Sequence, residues 1–168
     1  MNVQSAPELA FRAMIEADID VVRDLHARSF AGLAGAQHSP AQIAGHLALI
    51  ADDPYADDLR RCHVGLALDG ERIVATAGWI EVLEQISTAR IRKVFVDPAM
   101  ARRGLGSRMV RRAESEAYRA GYRRLIVRAN LNAVPLYETL GYVAMAEAQM
   151  PVPGGIELPV MMMEKPLA

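Results

Sequence analysis

The chain has 168 residues, of which 52% are hydrophobic and 23% charged, and its formal net charge is −1. This length suits one domain with a sizeable core, and the composition excludes a disordered chain. Near-neutral charge argues against a general polyanion binder, and no apolar run approaches the roughly 18 residues of a membrane span.

In chain order, residues 9–15 alternate weakly and predict a first strand. Asp18 to Phe30 predicts a helix with Ile19, Val22, Leu25, His26 and Phe30 near one face. Ala31–His38 reads as a loop rich in glycine and alanine. Ser39-Pro40-Ala41-Gln42 starts a second helix, with Ser39 as cap, Pro40 in the first turn and Gln42 closing a capping box. That helix runs to about Ile50, and Asp52–Asp58 reads as an acidic loop. Two strands, about 62–68 and 72–81, are joined by the hairpin signal Asp69-Gly70. Residues 82–87 form a loop, and 88–96 a strand ending at Asp97-Pro98. A long helix spans about 103–120, with Leu105, Met109, Ala113 and Ala117 turned to the sheet and Gly121 as its stop. A strand at 124–128, a short helix at 133–140 stopped by Gly141, and strands near 142–150 and 157–165 follow. Pro151–Gly155 turns between the last two. The run Met161-Met162-Met163 reads as strand packing.

The opening segment, Met-Asn-Val-Gln-Ser-Ala-Pro-Glu, lacks the basic and apolar stretches of a secretion leader. The single cysteine, Cys62, forms no internal disulfide, which suits a reducing cytoplasm, and at the start of a strand it reads as packing rather than as a nucleophile. No cysteine–histidine cluster has zinc spacing, so no metal is expected. Residues 102–128 hold nine arginines against Glu114 and Glu116, a local charge of +7. A solvated helix face accounts for Arg111, Arg112 and Arg119. Without interleaved aromatics the stretch does not point to nucleic acid.

The most informative segment is Val94-Phe95-Val96-Asp97-Pro98, followed by Arg102-Arg103-Gly104-Leu105-Gly106-Ser107-Arg108. A strand runs through a tight turn into a helix N-terminus. Such an end collects unpaired N–H groups and the positive end of the dipole, so it favours phosphate. Gly104 and Gly106 let backbone approach an anion, and Arg102, Arg103 and Arg108 add charge. A plain strand-to-helix connection would use the same glycines. No Gly-Lys-Ser/Thr follows, so this is not a P-loop. The third glycine of a dinucleotide fingerprint would fall at Met109, and no acidic residue ends the next strand.

A second motif decides between these readings. Asn130-Leu-Asn-Ala133-Val-Pro-Leu136-Tyr137-Glu138-Thr-Leu140-Gly141-Tyr142 resembles the Asn-x-x-Ala-x-x-Leu-Tyr-Glu-x-x-Gly-Tyr/Phe motif of the GNAT superfamily of acyl-CoA-dependent N-acetyltransferases. The glycine turn resembles the pyrophosphate motif of the same family, in the expected order and at the expected distance. The resemblance covers about residues 10–166 of a single domain at 1–168. One departure is Ala101, where the family usually carries Gln or Arg; Arg102 or Arg103 then supplies the missing donor.

The resemblance implies an α/β (α+β) fold. One mixed, mostly antiparallel sheet of six to seven strands carries about four helices on both faces and splays in the middle for coenzyme A. It also implies acetyl-CoA as co-substrate, with pyrophosphate on residues 102–108, the pantetheine arm along Val94, Phe95 and Val96, and a pantetheine contact from Asn130. A helix cap or turn is the other reading of Asn130. A backbone N–H near Phe95 or Val96 would face the thioester oxygen. Tyr137 matches the family tyrosine that protonates the leaving thiolate, its other reading being a half-buried core aromatic.

No general base is assigned: Glu81, Glu84, His38 and His26 are candidates, and a water chain is another. Arg90 and Arg92 share one strand face by period two. Facing the acceptor they would suit an acidic or carboxylate-bearing substrate; facing solvent they mean little. The expected acceptor is a small-molecule or protein amine. Neither a nucleic-acid nor a membrane partner is expected, and a homodimer stays open alongside a monomer. The alternative reading is a non-catalytic acyl-CoA sensor.

Overall fold

The computed structural model describes residues 8–168; the opening segment, read above as unlike a secretion leader, lies outside the described residues except for Glu8. One seven-stranded sheet has the order β1-β2-β3-β4-β5-β7-β6. Its strands are β1 (Ala10–Ala13), β2 (His63–Asp69), β3 (Arg72–Glu81), β4 (Thr88–Val96), β5 (Arg124–Asn130), β6 (Val143–Val152) and β7 (Ile156–Pro166). Every neighbouring pair is antiparallel except β4 with β5. The helices are α1 (Ile19–Leu33), α2 (Pro40–Ala51), α3 (Asp53–Arg61), α4 (Leu105–Arg119) and α5 (Val134–Thr139).

The local signals explain most of these bounds. Ser39 Oγ accepts from the Gln42 N–H while the Gln42 side chain accepts from the Ser39 N–H, the reciprocal box that starts α2. Gly70 turns the β2–β3 hairpin at a φ of 61°. Two expectations need correction. The acidic loop at 52–58 is helix α3. Asp52 accepts from the Asp53 N–H, Pro54 sits in the first turn, and Tyr55, Ala56 and Leu59 bury one face. Asp52, Asp53 and Asp57 are the wet side of an amphipathic helix, while Asp58 turns inward to the buried Lys93. The loop at 31–38 is shorter than read, because α1 continues to Leu33.

Alternation along β2 and β3 splits the core between the two sheet faces. Ala67, Val74, Ala77 and Trp79 pack with Leu105, Met109, Ala113 and Ala117 of α4. Val64, Leu66, Leu68 and Ile73 pack with Val22 and Leu25 of α1 and Leu59 of α3. Cys62 lies buried in the second cluster, where burial pushes its thiol pKa up and so keeps it from being a ready nucleophile.

Candidate active site

The site begins where the sheet opens. β4 and β5 pair in parallel from Thr88↔Arg124 only as far as Ile91↔Val127. Beyond that point β5 stays with β7, out to Asn130↔Val160. β4 instead bulges: its register against β3 passes from Gly78↔Arg92 to Thr76↔Phe95, so Lys93 and Val94 together oppose Ala77. Lys93 takes up the extra residue at a φ of 58°, a conformation strained for a side chain that long. Two anchors hold it there. Thr76 Oγ1 donates to the Lys93 carbonyl at 2.5 Å, and the buried Lys93 ammonium pairs with Asp58 at 2.8 Å. The result is a strand edge from Arg92 to Val96 that turns away from its parallel neighbour.

Two cavities meet in that opening. A cleft of about 430 Å³ lies on the α4 side, lined by Arg102, Gly104, Leu105, Gly106, Ser107, Leu136 and the β4 segment Val94–Val96. A pocket of about 150 Å³ lies toward α2 and α3, lined among others by His46, Tyr55, Arg90, Arg92 and Arg128. Val94, Phe95, Asn130, Ala133 and Tyr137 line both.

The glycine turn forms the mouth of the larger cleft. Arg102 and Gly104 take left-handed φ values of 61° and 74°, which aim the first turn of α4. The first intrahelical bond runs from the Arg108 N–H to the Gly104 carbonyl at 3.1 Å. The N–H groups of Leu105, Gly106 and Ser107 precede it and point along the helix axis. A Cβ on Gly106 would sit 3.6 Å from both Leu136 and Val96, so the glycine marks the narrow floor of the cleft. Arg102 lines this cleft and Arg103 does not; one Arg103 nitrogen lies 3.9 Å from the Met100 sulfur. Arg108 is also turned away, its guanidinium 4.6 Å above the Phe11 ring. Of the three arginines expected at the turn, the structure brings only Arg102 to the cleft.

Tyr137 is only 4% exposed and meets Tyr142 edge-on at 5.3 Å. Burial, with the nearby Glu114 carboxylate adding to it, pushes its phenol pKa well up, so the hydroxyl stays protonated. Asn130 precedes a short turn but makes no side-chain cap bond there, which leaves its amide to the cavities. The Val96 N–H is taken by Ser29 Oγ at 3.3 Å. Phe95 pairs with Thr76 in the same register that sends the Asp97 N–H to the Val74 carbonyl, so the Phe95 N–H faces β3. Neither of the two amides proposed to face a thioester is left open.

The candidate bases do not gather here. Glu81 accepts from the Tyr122 hydroxyl at 3.2 Å, and neither Glu81 nor Glu84 lines a cavity at the opening. His38 holds the Ala34 carbonyl at 3.0 Å. His26 is fully enclosed between the Tyr55 hydroxyl at 2.7 Å and Thr76 Oγ1 at 2.8 Å, with Phe95 stacked on it at 4.0 Å. Thr76 spends its proton on Lys93, so His26 Nε2 donates to Thr76 and Tyr55 donates to Nδ1. Burial holds the His26 pKa far down, and the Lys93 charge adds to that.

Sequence reasoning missed His46, Tyr55 and Asp58 as site residues. His46 lines the small pocket, stacks on Phe30 at 4.0 Å, and is held neutral by burial and by Lys93, its pKa pushed down to about 4. The signal that could have found Tyr55 and Asp58 was the amphipathic spacing of α3. Among the described residues no group of three His, Cys, Asp or Glu side chains could hold a metal ion.

The family model for the acetyltransferase (GNAT) family matches residues 19–142, which includes the glycine turn, the splayed strands and Tyr137. The chain belongs to the GNAT acetyltransferase family. Solved GNAT structures share the fold across nearly the whole chain. A GCN5-related N-acetyltransferase from Rhodopseudomonas palustris is 23% identical, with 99% of each chain covered and a TM-score of 0.83. The PaiA N-acetyltransferase from Thermoplasma acidophilum, solved with coenzyme A, is 11% identical, with 95% of this chain and 99% of that chain covered and a TM-score of 0.72. The ribosomal-protein-S18-alanine N-acetyltransferase from Escherichia coli is 20% identical, with 96% and 95% covered and a TM-score of 0.65. No curated protein sequence matches the chain. No described helix of this GNAT member is long and apolar enough to cross a membrane.

Proposed function

We propose that the protein transfers an acetyl group from acetyl-CoA to a primary amine by direct attack in a ternary complex. The observation that carries this reading is that two cavities meet at Tyr137, Asn130 and the Val94–Phe95 backbone. A thioester threaded through the larger cleft would present its carbonyl to an amine in the smaller pocket. The larger cleft has the parts coenzyme A needs. Amides at Leu105, Gly106 and Ser107, with Arg102 beside them, suit a pyrophosphate. The splayed edge at Val94–Val96 offers backbone groups to the amides of the pantetheine arm, as a sheet edge accepts an added strand. Asn130 faces the same arm from β5.

In the reaction the amine lone pair forms a bond to the acetyl carbon and the C–S bond breaks. The sulfur leaves with the electron pair and takes a proton from the Tyr137 hydroxyl, while the nitrogen gives up its own proton to solvent. Arg90, Arg92, Lys93 and Arg128 surround the small pocket, and of these four Asp58 bridges Arg92 and Lys93. A positive, partly buried pocket lowers the pKa of a bound ammonium, so the neutral amine is favoured without a strong base. The test is release of free thiol from acetyl-CoA over a panel of primary amines. Turnover with at least one amine is expected; tight coenzyme A binding without release for any amine would make the protein a sensor instead.

A further inference from the structure

We infer that the acceptor amine carries an oxyanionic group, a carboxylate or a phosphonate, held by Arg90 and Arg128 in the small pocket. The inference rests on the acetyl-transfer reading and names the substrate class of that same site. The strand register makes the argument. Arg90 pairs with Ile126 across the parallel strands, and Arg128 lies two residues beyond Ile126. Arg92 lies two beyond Arg90. All three therefore project from one face of the sheet, side by side across the opening, and all three line the pocket.

Like charges in such positions repel unless something lies between them. Arg92 has its answer: two of its nitrogens meet the Asp58 oxygens, each at 2.7 Å, and Lys93 shares that carboxylate. Arg90 and Arg128 have no ion-pair partner among the described residues. The Arg90 Nε is buried and without a hydrogen bond. Burial, and then the charges of Arg128 and Arg92, already weigh against the Arg90 cation. A buried donor on a guanidinium left open toward a cavity is the arrangement that a bidentate oxyanion completes.

Size and lining narrow the class. About 150 Å³ holds a small molecule. Leu49, Met150 and Val160 give it one apolar wall, suited to the carbon skeleton between amine and anion. The chemistry that fits is an amino acid or aminophosphonate.

The experiment compares kcat/KM for three matched amines: an amino acid, its carboxamide and its phosphonate analogue. They are run with wild type, Arg90→Gln, Arg128→Gln and Arg90→Lys. Wild type should prefer an oxyanionic amine over the carboxamide by about tenfold or more, and the better of the two anions identifies the natural group. Each Gln variant should pull that ratio toward one, and Arg90→Lys should restore part of it. A wild-type ratio of one, or a ratio unmoved in both Gln variants, overturns the inference. Calorimetry of the same amines with coenzyme A present separates this failure from that of the transfer reading. Arginine-dependent binding of the acid without any thiol release would refute transfer and uphold the anion site.

Discussion

At Tyr137 two requirements meet in one side chain. A leaving-group acid must hold its proton at working pH and must touch the sulfur path. Burial satisfies the first by raising the phenol pKa, and a place on the wall of both cavities would satisfy the second in the reaction proposed above. Tyr137→Phe keeps the ring and its edge contact with Tyr142 but removes the proton. The variant should lower kcat by roughly 10²–10⁴ while KM for acetyl-CoA stays near wild type, since a transfer made only in the transition state adds no ground-state affinity. Steady-state rates decide it, and wild-type kcat would make Tyr137 a packing residue. Asp58 governs a different property. It is the partner of the buried Lys93 that holds the β4 bulge. Asp58→Asn leaves that ammonium unpaired and should cost about 3–5 kcal/mol in urea unfolding. An unfolding free energy within error of wild type would show that Lys93 finds solvent or another partner.

The N-terminus of α4 is the element proposed above to hold the pyrophosphate. Its glycines serve different ends. Gly104 supplies a left-handed φ at the helix start, whereas Gly106 supplies room at the floor of the cleft. An added Cβ at Gly106 would only touch Leu136 and Val96, so Gly106→Ala should fold and bind coenzyme A weakly. Gly106→Val places methyl groups where phosphate would meet the amides, and calorimetry should then detect no binding. Unchanged affinity in Gly106→Val would remove the pyrophosphate from this turn. The arginines on the same element should differ from each other. Arg102→Ala should weaken coenzyme A binding by up to about 1.5–3 kcal/mol, less where salt screens the contact. Arg103→Ala, whose side chain turns toward Met100, should change little. Equal losses from the two would mean that the turn rearranges around its ligand.

Across the whole molecule, the sequence announced most of what was local, helix α3 being the exception. The capping box at Ser39 lies within one turn of chain, the Asp69-Gly70 signal within one hairpin, and the four-residue stripe of α4 within one helix. What was not legible depends on contacts between distant segments. Asp58 looked like loop charge until α3 brought it under Lys93, 35 positions on. Nothing local shows that Arg108 points at Phe11 rather than at the turn, or that His46 comes to face Tyr55 across a pocket. The same long-range contacts set the acid stability of the fold. Burial holds His26 far below its ordinary pKa and His46 at about 4, so the unfolded chain takes up protons there first. Because the folded pKa values lie below the unfolded value of about 6.5, stability should be full above it and fall as pH drops toward 4. A second stage follows from three aspartates. A hydrogen bond from Arg12 lowers Asp18. Burial raises Asp58 and Asp97, but Lys93 with Arg92 outweighs it at Asp58, and the Ala99 N–H with Arg28 outweighs it at Asp97. Their folded pKa values lie below the unfolded value of about 3.9, so the stability they contribute is lost only as pH falls below 4. Unfolding free energies from urea titrations at pH 7, 5, 4 and 3 should therefore decline in two steps. His46→Gln should flatten the upper step and leave the lower one, and Asp58→Asn should do the reverse. A variant whose slope matches wild type throughout would show that its side chain titrates in the folded protein as it does in water.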